Sequence, residues 1–240
     1  MNYTEFQDLN YLPENILSID SNIRKELLGA CIDTINTAYL NKENFATSKF
    51  RTDLNDYVII GFKGTSQLID WQTDLNFNPK ENLHNGFVKK ANSINISHLL
   101  SNRNIILTGH SLGAAIAFFK FIEARNNPNT AKNIKMLVCL GMPRPGKETI
   151  VNQLLNDALN QEPKLSASTA THFIVLQDKG KTDPVTQLPK SYGSVSSDKV
   201  DTIDYSSTTP KGWSRFLELY LHQLNSYRDS LSTYLKSHQK

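Results

Sequence analysis

One five-residue segment, Gly109-His110-Ser111-Leu112-Gly113, constrains this chain more than any other. It follows the apolar, β-branched run NIILT (104–108), which has the composition of a strand covered on both faces. It leads into LGAAIAFFKFIEAR (112–125), an Ala- and Phe-rich helix pattern that stops at the breaker cluster Asn126-Asn127-Pro128. A chain that passes directly from a buried strand into a helix must turn sharply. The residue at the apex is then held in strained backbone geometry. Side chains two positions before and after it would collide, which is why both positions call for glycine. This G-x-S-x-G pattern presents Ser111 Oγ above the strand ends, at a helix N-terminus where backbone N–H groups can face a developing negative charge.

The rest of the chain repeats the strand and helix alternation. Residues 13–40 carry apolar side chains at helical spacing and predict one long helix or two short ones. Phe45 to Thr52 predicts a short strand, Tyr57 to Phe62 (YVIIGF) a buried one, and Gly86 to Leu100 a weak helix. Ile134 to Leu140 is a further strand, Lys147 to Leu159 a helix, and His172 to Leu176 a strand. Tyr192 to Tyr205 suggests a hairpin, and Trp213 to Leu235 has helical spacing. Strands alternating with helices of this length predict an α/β fold, with a mainly parallel central sheet covered by helices on both faces.

Composition narrows the function. The chain has 240 residues, 26 basic and 23 acidic side chains and a net charge of +3, with its Lys and Arg scattered, so nucleic acid is not an expected partner. Cys31 and Cys139 both fall in apolar, element-forming runs and are expected to be buried free thiols. No His, Cys, Asp or Glu cluster suggests a metal, and no cofactor is expected. The N-terminus lacks the basic and apolar succession of a secretory signal, and no apolar window is long enough to span a bilayer. The expectation is a cytoplasmic protein, or one exported without a cleaved signal peptide; a mature form already trimmed is the third option.

A serine hydroxyl needs a neutral imidazole to take its proton, and that imidazole needs a carboxylate to orient it. Behind an elbow of this type the chain order is Ser, acid, His. Among the six histidines, His222 and His238 follow an acid placed beyond a later strand, and His238 is third from the C-terminus. His222 is therefore the candidate base. Asp178 and Asp183 both lie just past the strand HFIVL, and spacing alone leaves them both open as the acid. The loop Phe62-Lys63-Gly64-Thr65, after YVIIGF, offers backbone and hydroxyl donors for an oxyanion, to be completed by the N–H of Leu112.

Several ordered blocks resemble the class 3, fungal-lipase-like family of α/β-hydrolases. They are GFKGTSQLIDWQTDLNF, HNGFVKKA, ILTGHSLGAAIA, CLGMPRPGK, TDPVTQLP and HQLNSY, and together they span roughly residues 45–230. The resemblance implies an α/β-hydrolase domain over 45–240, with 1–44 an N-terminal helical segment packed on its core, and a single domain overall. It implies Ser111 as nucleophile, Asp183 as acid, His222 as base, and Thr65 and Leu112 as the oxyanion hole. Residues 66–76 would correspond to a lid, with Leu68, Ile69 and Trp71 as its apolar face. His84, His110 and Arg144 would be structural, the His110 side chain pointing away from Ser111 Oγ. The chain departs from the family pattern in having Lys63 where Arg is common, a longer loop between Gln177 and Asp183, and a short stretch between HNGF and GHSLG.

The implied activity is hydrolysis of a carboxylic ester, with a lipid or ester substrate met at a membrane or lipid-droplet surface. The alternatives are a phospholipase A1-type effector acting on membrane phospholipid and a catalytically silent binding protein on the same fold.

Overall fold

The structure is a computed structural model that describes residues 21–52, 55–65, 81–101, 104–165, 169–177, 181–189, 192, 200–205 and 227. Helix α1 (Ser21–Leu40) is followed by strands β1 (Phe45–Arg51) and β2 (Asp56–Phe62). Helix α2 (Asn85–Asn92), strand β3 (Ile105–His110), helix α3 (Leu112–Arg125), strand β4 (Ile134–Leu140) and helix α4 (Glu148–Leu159) come next. Strands β5 (Ala170–Gln177), β6 (Lys181–Thr182) and β7 (Val200–Tyr205) complete the described elements, with a short 3₁₀ turn at Pro184–Gln187.

All the strands belong to one sheet. β1 pairs antiparallel with β2, while β2, β3, β4, β5 and β7 pair in parallel and form its body. β6 turns back antiparallel on the end of β5, at Leu176 and Gln177. This is the mainly parallel sheet that the alternation of strands and helices predicts. α3 and β4 begin and end where the sequence pattern places them. The expected helix over 86–100 is shorter: α2 ends at Asn92, and a separate 3₁₀ turn follows at Ser97–Leu99. Asn95 explains the break, because its Oδ1 accepts from both the N–H and the hydroxyl of Ser97 and diverts the backbone from a helical ladder. Of the expected hairpin over 192–205, residues 193–199 lie outside the described residues. Its C-terminal half, β7, lies parallel to β5 in register His172↔Val200 to Gln177↔Tyr205, because extended backbone there completes the open edge of β5. Of the expected helix over 213–235, only Tyr227, which is helical, lies within the described residues.

Two apolar layers sandwich the sheet. On one face Phe87, Ala114, Phe118, Phe121, Val151 and Leu155 pack on the inward residues of β2, β3 and β4. On the other, α1 lays Leu27, Leu28, Cys31, Ile32 and Ile35 against Ile59, Ile106, Met136 and Val138. Alternate residues along β3 feed opposite layers, Ile105 and Leu107 the first and Ile106 the second, as a period of two requires. Each large side chain buried in this way contributes roughly 1.5–3 kcal/mol. Cys31 and Cys139 are free and buried. Arg125, at the end of α3, is fully buried and donates to the carbonyls of Ala131, Ala158, Gln161 and Pro163, tying α3 to the C-terminal end of α4. Among the described residues no helix is long and apolar enough to cross a membrane.

Candidate active site

The C-terminal ends of β2, β3 and β4 lie side by side, with Phe62 paired to Gly109 and His110 to Leu140. The next residue of each strand therefore emerges on one edge of the sheet, the edge where parallel α/β sheets build their sites. From β3 emerges Ser111, at φ 59° and ψ −130°. Left-handed backbone at a non-glycine residue costs roughly 1–3 kcal/mol. It is held by the N–H of Ser111 bonded to Leu140 O at 3.0 Å, and by the Ser111 carbonyl accepting from Ala114 and Ala115 in the first turn of α3. Both flanking glycines are sterically required: a Cβ on Gly109 would run into the Gly113 backbone, and a Cβ on Gly113 into the Phe62 and Lys63 backbone. Ser111 Oγ is buried, and no described residue hydrogen-bonds to it. Leu112 is the first residue of α3, so its N–H has no intrahelical acceptor and forms part of the positive end of the helix dipole.

From β2 emerges the loop Lys63-Gly64-Thr65. It crosses directly over the elbow, and a Cβ on Gly64 would lie 2.8 Å from the Ser111 Cβ and 2.8 Å from the His110 carbonyl. Thr65 follows directly and is half-buried.

From β5 and β6 the chain reaches Asp183, which is fully buried. Its Oδ1 accepts from the Val185 N–H at 3.0 Å, capping the 3₁₀ turn, and its Oδ2 accepts from the Tyr227 hydroxyl at 2.6 Å. Gly141, next after β4, sits beneath this pair at φ +59°, and a Cβ there would lie 2.5 Å from the Tyr227 hydroxyl and 2.7 Å from Asp183 Oδ2. His172 on β5 is buried nearby; its Nε2 accepts from the Met142 N–H at 2.8 Å, which leaves the neutral ring's proton on Nδ1. Burial pushes its pKa down to about 4, against a smaller upward pull from Asp183.

The structure thus gathers Ser111, Leu112, Thr65 and Asp183 at one sheet edge. The expected base His222, the rival acid Asp178 and the expected lid residues Leu68, Ile69 and Trp71 lie outside the described residues. The three histidine and arginine positions expected to be structural have structural contacts. His84 caps α2 through Phe87 N–H and stacks on the Phe87 ring at 3.9 Å. The His110 ring points to the Tyr39 hydroxyl, 3.0 Å from its Nδ1. Arg144 ties the Gly141–Gly146 loop to the chain that follows Asp183, through its N–H on Leu188 O and its guanidinium on Tyr192 O. Sequence reasoning missed Tyr39, Tyr227, Gly141 and His172. Tyr227 and Gly141 were within reach, since each is part of a block that resembles the family, HQLNSY and CLGMPRPGK.

Among described residues no cluster of three or more His, Cys, Asp or Glu could hold a metal ion. Among curated proteins none matches the chain in sequence. Among solved structures it is similar to the Rhizomucor miehei lipase propeptide complex, at 20% identity and a TM-score of 0.42, covering 73% of this chain and 61% of that one. It is also similar to a lipase from Rhizopus microsporus var. chinensis (17% identity, TM-score 0.45, 70% and 68% coverage). A nonglycosylated lipase of Yarrowia lipolytica is a third (18%, 0.49, 79% and 81%). The chain therefore spans about three fifths of the length of the first of these. The sequence model of the lipase (class 3) family matches residues 59–192, more than half of the chain and the stretch that carries the Lys63–Thr65 loop, the Ser111 turn and Asp183; this protein belongs to that family.

Proposed function

We propose that the chain is a serine carboxylic-ester hydrolase that acts on lipid esters through an acyl-enzyme on Ser111. The observation that carries this reading is the strained serine at a helix N-terminus, held by two obligatory glycines on the same sheet edge as a buried, hydrogen-bonded aspartate. Ser111 Oγ attacks the ester carbonyl while His222 takes its proton. The N–H groups of Leu112 and Thr65 receive the oxyanion, each such donor being worth about 3–4 kcal/mol of barrier. The alcohol leaves with the proton from His222. Water, deprotonated by the same imidazole, then attacks the acyl-enzyme and releases the carboxylic acid and free Ser111. Asp183 orients His222 and offsets its positive charge. Two facts support this assignment: Tyr227 bonds Asp183 directly, and His222 lies five residues before Tyr227 in the sequence.

The test compares wild type with Ser111→Ala on p-nitrophenyl esters of increasing chain length and on phospholipid vesicles. Hydrolysis by wild type, lost in the variant, is expected, with long chains preferred over acetate. A wild type inert on every substrate would sink the reading. Hydrolysis confined to vesicle phospholipid would move the substrate class to phospholipase.

A further inference from the structure

Tyr39 belongs to α1, outside the stretch that matches the family, yet its hydroxyl lies inside the candidate active site. The phenol oxygen accepts from the Gly64 N–H at 2.8 Å and sits 3.0 Å from His110 Nδ1. It therefore bridges the loop that precedes Thr65 and the residue that precedes Ser111. Tyr39 is half-buried, and burial pushes the phenol's pKa up to about 12, so at neutral pH the hydroxyl keeps its proton. The His110 tautomer sets which partner donates; in the arrangement inferred below, the phenol proton goes to His110 Nδ1 and the histidine's own proton sits on Nε2. The His110 ring in turn meets the Tyr227 ring edge-on, at 5.7 Å between centroids, and Tyr227 bonds Asp183. α1 delivers this phenol from a rigid seat, because it crosses β2 so closely that a Cβ on Gly61 would lie 2.9 Å from the Ile35 nitrogen.

We propose that Tyr39 is a positioning residue: its hydroxyl bridges the Gly64 N–H and His110 Nδ1 and so sets the oxyanion loop against the nucleophile elbow. The inference rests on the ester-hydrolase reading. Without the bridge, Gly64 loses its acceptor and the loop can shift relative to Ser111, a displacement that slows chemistry without weakening substrate binding.

Tyr39→Phe deletes only the hydroxyl. It is expected to lower kcat roughly tenfold at unchanged KM, and to weaken binding of a tetrahedral boronic-acid adduct by the same factor. Ile32→Val, a buried change elsewhere on α1, controls for general loosening of the helix and is expected to keep the wild-type kcat. Wild-type kcat in Tyr39→Phe, or an equal loss in Ile32→Val, would overturn the proposal. A wild type without esterase activity would instead remove the reading beneath it, so the two failures are distinguishable. Imidazole ¹⁵N chemical shifts of the wild type add a readout that needs no variant to fold. An unprotonated Nδ1 on His110 is expected, and a protonated Nδ1 would contradict the proposal.

Discussion

The elbow around Ser111 and the loop around Asp183 occupy the same sheet edge but are held by different forces. At the elbow the restraint is backbone against backbone: Gly109 against Gly113, and Gly113 against Phe62 and Lys63. At the acid it is side-chain hydrogen bonding: Val185 N–H and the Tyr227 hydroxyl on the two carboxylate oxygens. A steric restraint of the first kind has no partial solution, because two main chains cannot give way separately. A hydrogen-bonded restraint can be weakened one bond at a time. The elbow should therefore fail abruptly under substitution and the acid loop by degrees.

The sharpest test of that contrast is Gly113→Ala. The added methyl meets backbone from another strand, so the substitution should cost more than about 3 kcal/mol, the upper end for overpacked cores. Activity should fall more than roughly a hundredfold through displacement of Ser111. An active, normally stable variant would erase the distinction between the two regions. On the acid side, His172 supplies a pH dependence. Its folded pKa of about 4 lies below its ordinary value of 6.5, so the unfolded chain binds the extra proton between those limits. Stability from this residue is therefore present above pH 6.5 and lost as pH falls toward 4, by at most about 3 kcal/mol. Melting curves at pH 7 and 4.5 should show a smaller acid-induced drop for His172→Gln than for wild type; equal drops would refute the assignment.

Tyr227→Phe should act by degrees. It removes one charged hydrogen bond from Asp183 and leaves that from Val185, costing about 1.5–3 kcal/mol, with a modest loss of kcat. A collapse as severe as that of Gly113→Ala would place the acid loop in the same class as the elbow. The smallest expected effect has the opposite sign. Ser111→Gly relieves the left-handed backbone and should raise stability by about 1 kcal/mol, a rise of roughly 2–4 °C in Tm, while abolishing hydrolysis. An unchanged or lower Tm would mean that little strain is stored there.

The same contrast explains what could be read in the sequence. The elbow was legible because strand, turn and helix are contiguous and each step leaves a local signature. α3 and β4 match their patterns residue for residue. The two glycines that the turn geometry demands are the ones that collide when a Cβ is added. Asp183 was legible only through the resemblance of its block, because spacing left Asp178 equally open. Its supports were not legible at all. Tyr227 reaches it from 44 residues away, His172 meets Met142 across 30, and Tyr39 meets His110 across 71. Contacts of that range are set by how helices pack on a sheet, which local periodicity does not encode. The break after α2 and the parallel seat of β7 were missed for related reasons. A single side chain, Asn95, competed with the helix, and an open strand edge decided the pairing.

The most direct test of the central claim is covalent labelling with a fluorophosphonate, read by mass spectrometry of the intact protein and its peptides. An activated Ser111 predicts one label per chain, on the peptide that contains Ser111, and none in Ser111→Ala. A folded protein that takes no label, or takes it on another residue, would contradict the account.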